Sequence, residues 1–114
     1  MYLITSNLRL FFSSSKKAWS FHSNLDSPRE EAASVAMPDG GTMYVLGGLI
    51  DEQQTRSTVQ LSSGDSTWTG GPSLPEVRSR FCAVAIDSNT FAILGGEVDG
   101  SPVSAEMKTY STDR

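Results

Sequence analysis

The sequence predicts an all-β protein, in which four-stranded antiparallel sheets repeat along the chain and stack face to face as the blades of an incomplete propeller. Three observations predict it. The chain resembles itself at a spacing of 48 to 49 residues. Its apolar runs have the length of strands rather than helices, and Gly, Pro, Ser, Asn and Asp fall between them as turns.

The repeat emerges when the chain is slid along itself. A shift of 49 residues superposes Trp19 on Trp68, Leu25 on Leu74, Arg29 on Arg78 and Val35-Ala36 on Val84-Ala85. Farther along, a shift of 48 matches Asp39, Thr42, Leu46, Gly47 and Gly48 to Asp87, Thr90, Leu94, Gly95 and Gly96, with one extra residue, placed at Pro38, in the earlier copy. Working backward, Leu10 and Phe12 fall on Val59 and Leu61, so residues 1–23 read as the outer strands of a partial preceding blade. Residues 24–77 then form a complete unit and residues 78–114 an incomplete one.

The elements of a unit follow in order. The stretches AASVAM and RFCAVAI are apolar, partly β-branched and too short for a helix, which predicts a first strand. Asp39-Gly40-Gly41 and Asp87-Ser88-Asn89 predict hairpin turns, because these residue types tolerate positive φ. TMYVL and TFAIL are apolar at both alternating sets, which predicts second strands buried on both faces. A Gly pair ends each of them where the backbone must bend or approach a neighbour, and a polar loop follows. In STVQLS, Val59 and Leu61 alternate with Thr58, Gln60 and Ser62, predicting a third strand with one buried and one wet face; its counterpart lies around Met107 and Tyr110. Gly64-Asp65 predicts a turn and STWTG a short fourth strand carrying Trp68. Inner strands that are apolar on both faces cannot be buried by one sheet, so copies must stack, and stacking around an axis makes a propeller.

Composition narrows the function. The 114 residues include one Cys and one His, so neither an internal disulfide nor a zinc cluster is expected. The longest apolar runs fall far short of the roughly 20 residues of a spanning helix. Residues 24–114 hold all 13 acids against 6 bases, and an acidic body repels phosphate, which argues against nucleic-acid binding. Residues 1–23 hold Arg9, Lys16 and Lys17 and no acid. A targeting presequence is the alternative there, but the register of Leu10, Phe12 and Trp19 favours a blade.

Taken together and in order, the Arg, the first strand, the turn, YVLGG or AILGG, the polar loop, the third strand and the Trp resemble the kelch repeat over residues 10–110. The resemblance implies one blade per repeat, with Arg29, Arg78, Trp19 and Trp68 buried between blades, the Arg bonding backbone, and Gly47, Gly48, Gly95 and Gly96 closing the second strands. It also implies that the loops Leu49 to Arg56 and Glu97 to Pro102, with Glu30, Glu31, Ser79 and Arg80, open onto one end of the propeller, where a partner peptide or protein is held. The candidate contact residues are Arg80, Ser79, Asp51, Glu52, Glu97 and Asp99. The acidic loops read first as solvated loops and otherwise suit a basic partner, and Arg80 stands where the other unit has Glu31, as recognition positions on a repeated scaffold should differ. Cys82, between Phe81 and Ala83, is expected to be buried and inert. His22 with Ser20, Ser23 and Asp26 supports no triad without geometry.

The leading expectation is a non-enzymatic binding module that needs no cofactor and presents loops to a protein partner, as a ubiquitin-ligase substrate adaptor or a cytoskeletal scaffold does. A cytoplasmic location fits, because Asn and Arg interrupt the first apolar stretch and no secretory signal is convincing; a signal peptide on a longer parent would make it secreted. An alternative is part of a propeller enzyme similar to galactose oxidase or to sialic acid epimerases. Copper would need several His and Tyr ligands, and His22 with Tyr2, Tyr44 and Tyr110 is too few. A truncated product without activity is the third reading. Four blades would require roughly 190 residues, so the chain is expected to be a fragment with open faces, needing further blades or self-association.

Overall fold

A computed structural model describes residues 2–5, 8–13, 18–25, 27–38, 41–62, 64–103 and 106–112, with side chains described from Leu25 onward. Among these residues every regular element is a strand and no barrel closes, the all-β, blade-like architecture the repeat predicts. No helix among them is long and apolar enough to cross a membrane.

Strands β1 (Tyr2–Thr5), β2 (Leu8–Ser13) and β3 (Ala18–Asn24) form an antiparallel meander. Trp19 lies in β3, but its packing and that of His22 fall outside the described side chains. The next unit contains β4 (Ala33–Ala36), β5 (Thr42–Leu46), a small hairpin of β6 (Leu49–Ile50) and β7 (Gln53–Gln54), then β8 (Thr58–Ser62) and β9 (Thr69–Gly70). Its main sheet has the order β4-β5-β8-β9, the expected four strands. The last unit repeats this plan with β10 (Cys82–Asp87), β11 (Thr90–Leu94), a hairpin of β12 (Glu97–Val98) and β13 (Ser101–Pro102), and β14 (Met107–Ser111), in the sheet order β10-β11-β14.

Strand β5 explains why two sheets must meet. Its side chains alternate between two cores, with Tyr44 and Leu46 in one and Met43 and Val45 in the other. The first core lies between the two units: Ala33, Val35 and Met37 of the earlier sheet pack with Leu74, Phe81, Phe91 and Ile93, and Ala83 and Ala85 of β10 close over them. Tyr44 and Phe91 stack across this boundary with ring centroids 6.2 Å apart, and Tyr110 extends the aromatic series 5.7 Å from Phe91. The second core gathers Leu25, Met43, Val45, Leu61 and Trp68 on the opposite face. Burying an aliphatic or aromatic side chain contributes about 1.5–3 kcal/mol, so β5 draws stability from both faces, one closed by the later unit and the other by Leu25, Leu61 and Trp68 of its own.

Several expectations require correction. The polar loops after the Gly pairs are two-stranded hairpins. Thr58, expected on a wet face, is buried against the neighbouring unit, whereas Val59 is only half-buried. Trp68 is buried at 4% exposure but precedes β9 rather than lying in it. The turn at Asp87-Ser88-Asn89 uses no positive φ; a bulge at Ile86 interrupts the register, and the Asp87 side chain accepts the Asn89 N–H at 2.9 Å. Asp39-Gly40 lie outside the described residues. Cys82, expected to be buried, is exposed, because its side chain, with those of Val84 and Ile86, faces away from the shared core.

Candidate functional site

The end of each unit where the second strand stops is organised by the motif Arg. Arg29 is buried and donates from Nη1 to the Gly47 carbonyl at 3.0 Å and the Ser57 carbonyl at 2.8 Å, and from Nη2 to Ser57 Oγ at 2.9 Å. Arg78, at 1% exposure, repeats the arrangement: Nη1 donates to the Gly95 carbonyl at 2.6 Å, and Nη2 reaches Glu76 at 2.8 Å and Glu106. Both guanidiniums therefore clamp the carbonyl of the first Gly to the segment entering the third strand. The resemblance implied bonding between blades; these side-chain bonds instead stay within a unit for Arg29, and for Arg78 they join its own sheet to the connecting segment. The units meet through main chain, where the Gly48 N–H donates to the Arg78 carbonyl at 2.8 Å. A Cβ on Gly47 would lie 2.6 Å from that same carbonyl, so only Gly admits the approach.

Immediately after each Arg the chain pairs with the hairpin of its own unit. Glu30 exchanges backbone hydrogen bonds with Leu49 at 3.0 and 2.7 Å, and Ser79 does the same with Glu97 at 3.0 and 2.8 Å. The following residues, Glu31 and Arg80, both take a φ of +57°. They also meet each other. The Arg80 N–H donates to the Glu31 carbonyl at 2.9 Å, and Arg80 Nε donates to Glu31 Oε1 at 2.9 Å, with Glu97 3.7 Å from Nη1. The hydrogen bond to Glu31 raises the Arg80 pKa above its ordinary value.

The hairpin tips carry two consecutive left-handed residues each: Asp51 and Glu52 at +50° and +66°, Asp99 and Gly100 at +49° and +77°. That is the type I′ signature, whose backbone twist matches the flanking strands. The Asp-Gly at 99–100 is a hairpin signal present in the sequence. Two-residue strands gave no alternation to accompany it, and the loop reading hid it.

Gln54 joins the hairpins. Its Nε2 donates to Ser79 Oγ at 2.7 Å and to the Glu97 carbonyl at 3.2 Å, and its Oε1 accepts the Gly100 N–H at 3.2 Å. Nothing in the periodicity marks this residue, because its partners lie 25 to 46 positions away.

The contact candidates thus divide by placement. Asp51, Glu52 and Asp99 are exposed at the hairpin tips, and a hollow of about 230 Å³ lies between Pro28, Glu30, Leu49, Asp51 and Glu52. Arg80 is exposed but ion-paired, Glu97 is half-buried beside it, and Ser79 is buried at 1% exposure with its hydroxyl held by Gln54. Among the described residues no three His, Cys, Asp or Glu side chains converge as metal ligands.

No family model matches the chain. Among known proteins it is similar to the Kelch repeat protein M-T8 of Myxoma virus (strain Lausanne), with 34% identity over 87 residues, covering 74% of this chain and 16% of that protein. It is also similar to the Spermatocyte protein spe-26 of Caenorhabditis elegans, with 27% identity over 99 residues, covering 82% of this chain and 17% of that protein. The chain spans about a sixth of the length of these curated relatives. These similarities support the kelch repeat family.

Proposed function

We propose that this chain is a segment of a kelch-type propeller that holds a protein partner against its paired hairpins, in the manner of an adaptor or scaffold. Residues 24–77 form a whole blade in this reading, residues 78–114 part of the next, and residues 1–23 the outer strands of the one before. The cytoplasm is the compartment that fits.

The observation that carries the reading is Glu52. It occupies a left-handed position at φ +66° whose repeat equivalent is Gly100 at φ +77°. Holding a non-Gly residue in that region costs on the order of 1–3 kcal/mol, and here the tip keeps an exposed carboxylate beside Asp51. With Asp99 on the adjoining hairpin, it gives an acidic rim, suited to a basic segment of the partner. Arg80 and Glu97 border that rim, whereas buried Ser79 supports it from beneath.

The test is crosslinking and mass spectrometry on the tagged chain in intact cells, comparing the Asp51→Ala/Glu52→Ala/Asp99→Ala triple variant with Ser66→Ala in the exposed β8–β9 turn. Partners crosslinked through the hairpin tips should be lost in the triple variant and kept in Ser66→Ala. Partners kept by both variants would contradict the assignment of the contact surface.

A further inference from the structure

The two motif arginines hold equivalent carbonyls but differ in what meets Nη2. Arg78 Nη2 is met by two carboxylates, Glu76 at 2.8 Å and Glu106. The 49-residue shift puts serines at both positions in the earlier unit, Ser27 for Glu76 and Ser57 for Glu106. Ser57 keeps the equivalence in space, since its Oγ accepts from Arg29 Nη2 at 2.9 Å as Glu106 accepts from Arg78. The chain around Ser27 and Glu76 runs alike as well. Leu25 and Leu74 are buried before them, Arg29 and Arg78 are buried after them, and Glu30 and Ser79 then pair with the hairpin of their own unit. Among the described residues no carboxylate forms an ion pair with Arg29, and burial lowers its pKa below the ordinary value. Ser27 thus stands where an acid would complete the clamp. It is exposed, lies outside every strand and is followed by Pro28. Its equivalent Glu76 stays 33% exposed with a unit on either side, so access belongs to the position itself.

We propose that Ser27 is a phosphorylation site of a proline-directed protein kinase, and that its phosphate takes beside Arg29 the place that the Glu76 carboxylate holds beside Arg78. In the transfer, Ser27 Oγ bonds to the γ-phosphorus of a nucleoside triphosphate, the bond to the departing nucleoside diphosphate breaks, and the hydroxyl proton passes to the base of the kinase. The reach fits, because the same number of bonds separates Cα from a terminal oxygen in phosphoserine and in glutamate. A guanidinium has five donors, and the bonds to Gly47, to the Ser57 carbonyl and to Ser57 Oγ engage three of them. A phosphate facing an Arg forms charge-assisted hydrogen bonds that order the segment carrying it. Here the carbonyls that Arg29 ties together flank the β6–β7 hairpin, so the phosphate fixes the base of the hairpin whose tip carries Asp51 and Glu52. Ser101-Pro102 is the other Ser-Pro of the chain, but Ser101 is held in β13 against Val98. The inference rests on the equivalence of the two units and is independent of the partner-binding reading.

The test incubates the 114-residue chain with ATP and a proline-directed kinase and maps the product by mass spectrometry. One phosphoryl group should appear at Ser27, be absent in Ser27→Ala and form much more slowly in Pro28→Ala. The chain has a formal charge of −4, so a phosphate without a cationic partner should lower the melting midpoint by repulsion. Paired with Arg29, it should instead raise the midpoint, on the order of 4 °C, and slow amide exchange at Gly47 relative to Gly95. Ser27→Glu should act in the same direction, whereas Ser66→Glu in the exposed β8–β9 turn should not. The rise should shrink in Arg29→Lys; where that variant does not fold, the comparison of Ser27→Glu with Ser66→Glu decides. No phosphate at Ser27, transfer to Ser101 in its place, or transfer indifferent to Pro28→Ala would overturn the site. A phosphorylated chain whose midpoint is unchanged or lower would overturn the pairing with Arg29.

Discussion

The buried guanidinium of Arg78 serves the Gly95 carbonyl, Glu76 and Glu106 together. Arg78→Ala leaves that carbonyl unpaired and two carboxylates facing an emptied site. Because both carboxylates are about a third exposed and can recover water, the loss belongs at the low end for a broken buried pair, about 3 kcal/mol, measurable by urea denaturation. Arg78→Lys should recover little of it, because one ammonium cannot reproduce the fork. The same network gives a pH dependence. Its hydrogen bond with Lys108 is the main cause that holds Glu76 below its ordinary pKa of 4.5. The stabilisation is therefore fully present above that value and is lost as the pH falls through the depressed folded one. Lys108 is raised above 10.5 by the same bond, so its share is present below that pH and fades as the pH rises through the raised folded value. Thermal melts should be flat between these limits, with the acid-side decline smaller in Glu76→Gln. The motif Arg was legible in the sequence as a repeated position. Its acceptors were not, because Ser57 and Glu106 are brought to it only by closure of the sheet.

At the scale of elements, the second strands were the clearest reading. β5 and β11 run over TMYVL and TFAIL as predicted, because apolar residues on both faces admit only a strand between two neighbours. The hairpins after the Gly pairs were not legible as strands, since two-residue strands are held by turn chemistry and by Gln54. Gln54→Ala should leave the melting temperature of the sheets nearly unchanged and raise amide exchange at Gly100, whose N–H it binds. An unchanged exchange rate at Gly100 would mean that the hairpins are not coupled through Gln54. Glu52→Gly should stabilise the chain by up to about 1 kcal/mol if relief of the left-handed strain exceeds the added chain entropy, while weakening capture of a partner. A variant that gains stability and keeps its partner would remove the evidence for a recognition role.

The whole molecule follows from one physical condition: a sheet with two apolar faces is stable only between neighbours. The 49-residue shift exposed the repeat because the Arg29 and Arg78 clamps and the buried Leu25 and Leu74 occupy the same place in each unit and so recur. It could not show that Cys82 faces outward, since RFCAVAI is apolar at nearly every position and both registers read alike; the inward Ala83 and Ala85 decide it. Nor could it show that Glu31 and Arg80, read as unlike surface positions, are partners across units. The stacking itself is open to a direct measurement, a double-mutant cycle on Tyr44→Leu and Phe91→Leu, whose rings lie 6.2 Å apart on different sheets. A coupling of about 0.5–1.5 kcal/mol is predicted for such a pair in contact, and strictly additive effects would show that the two sheets do not share a core.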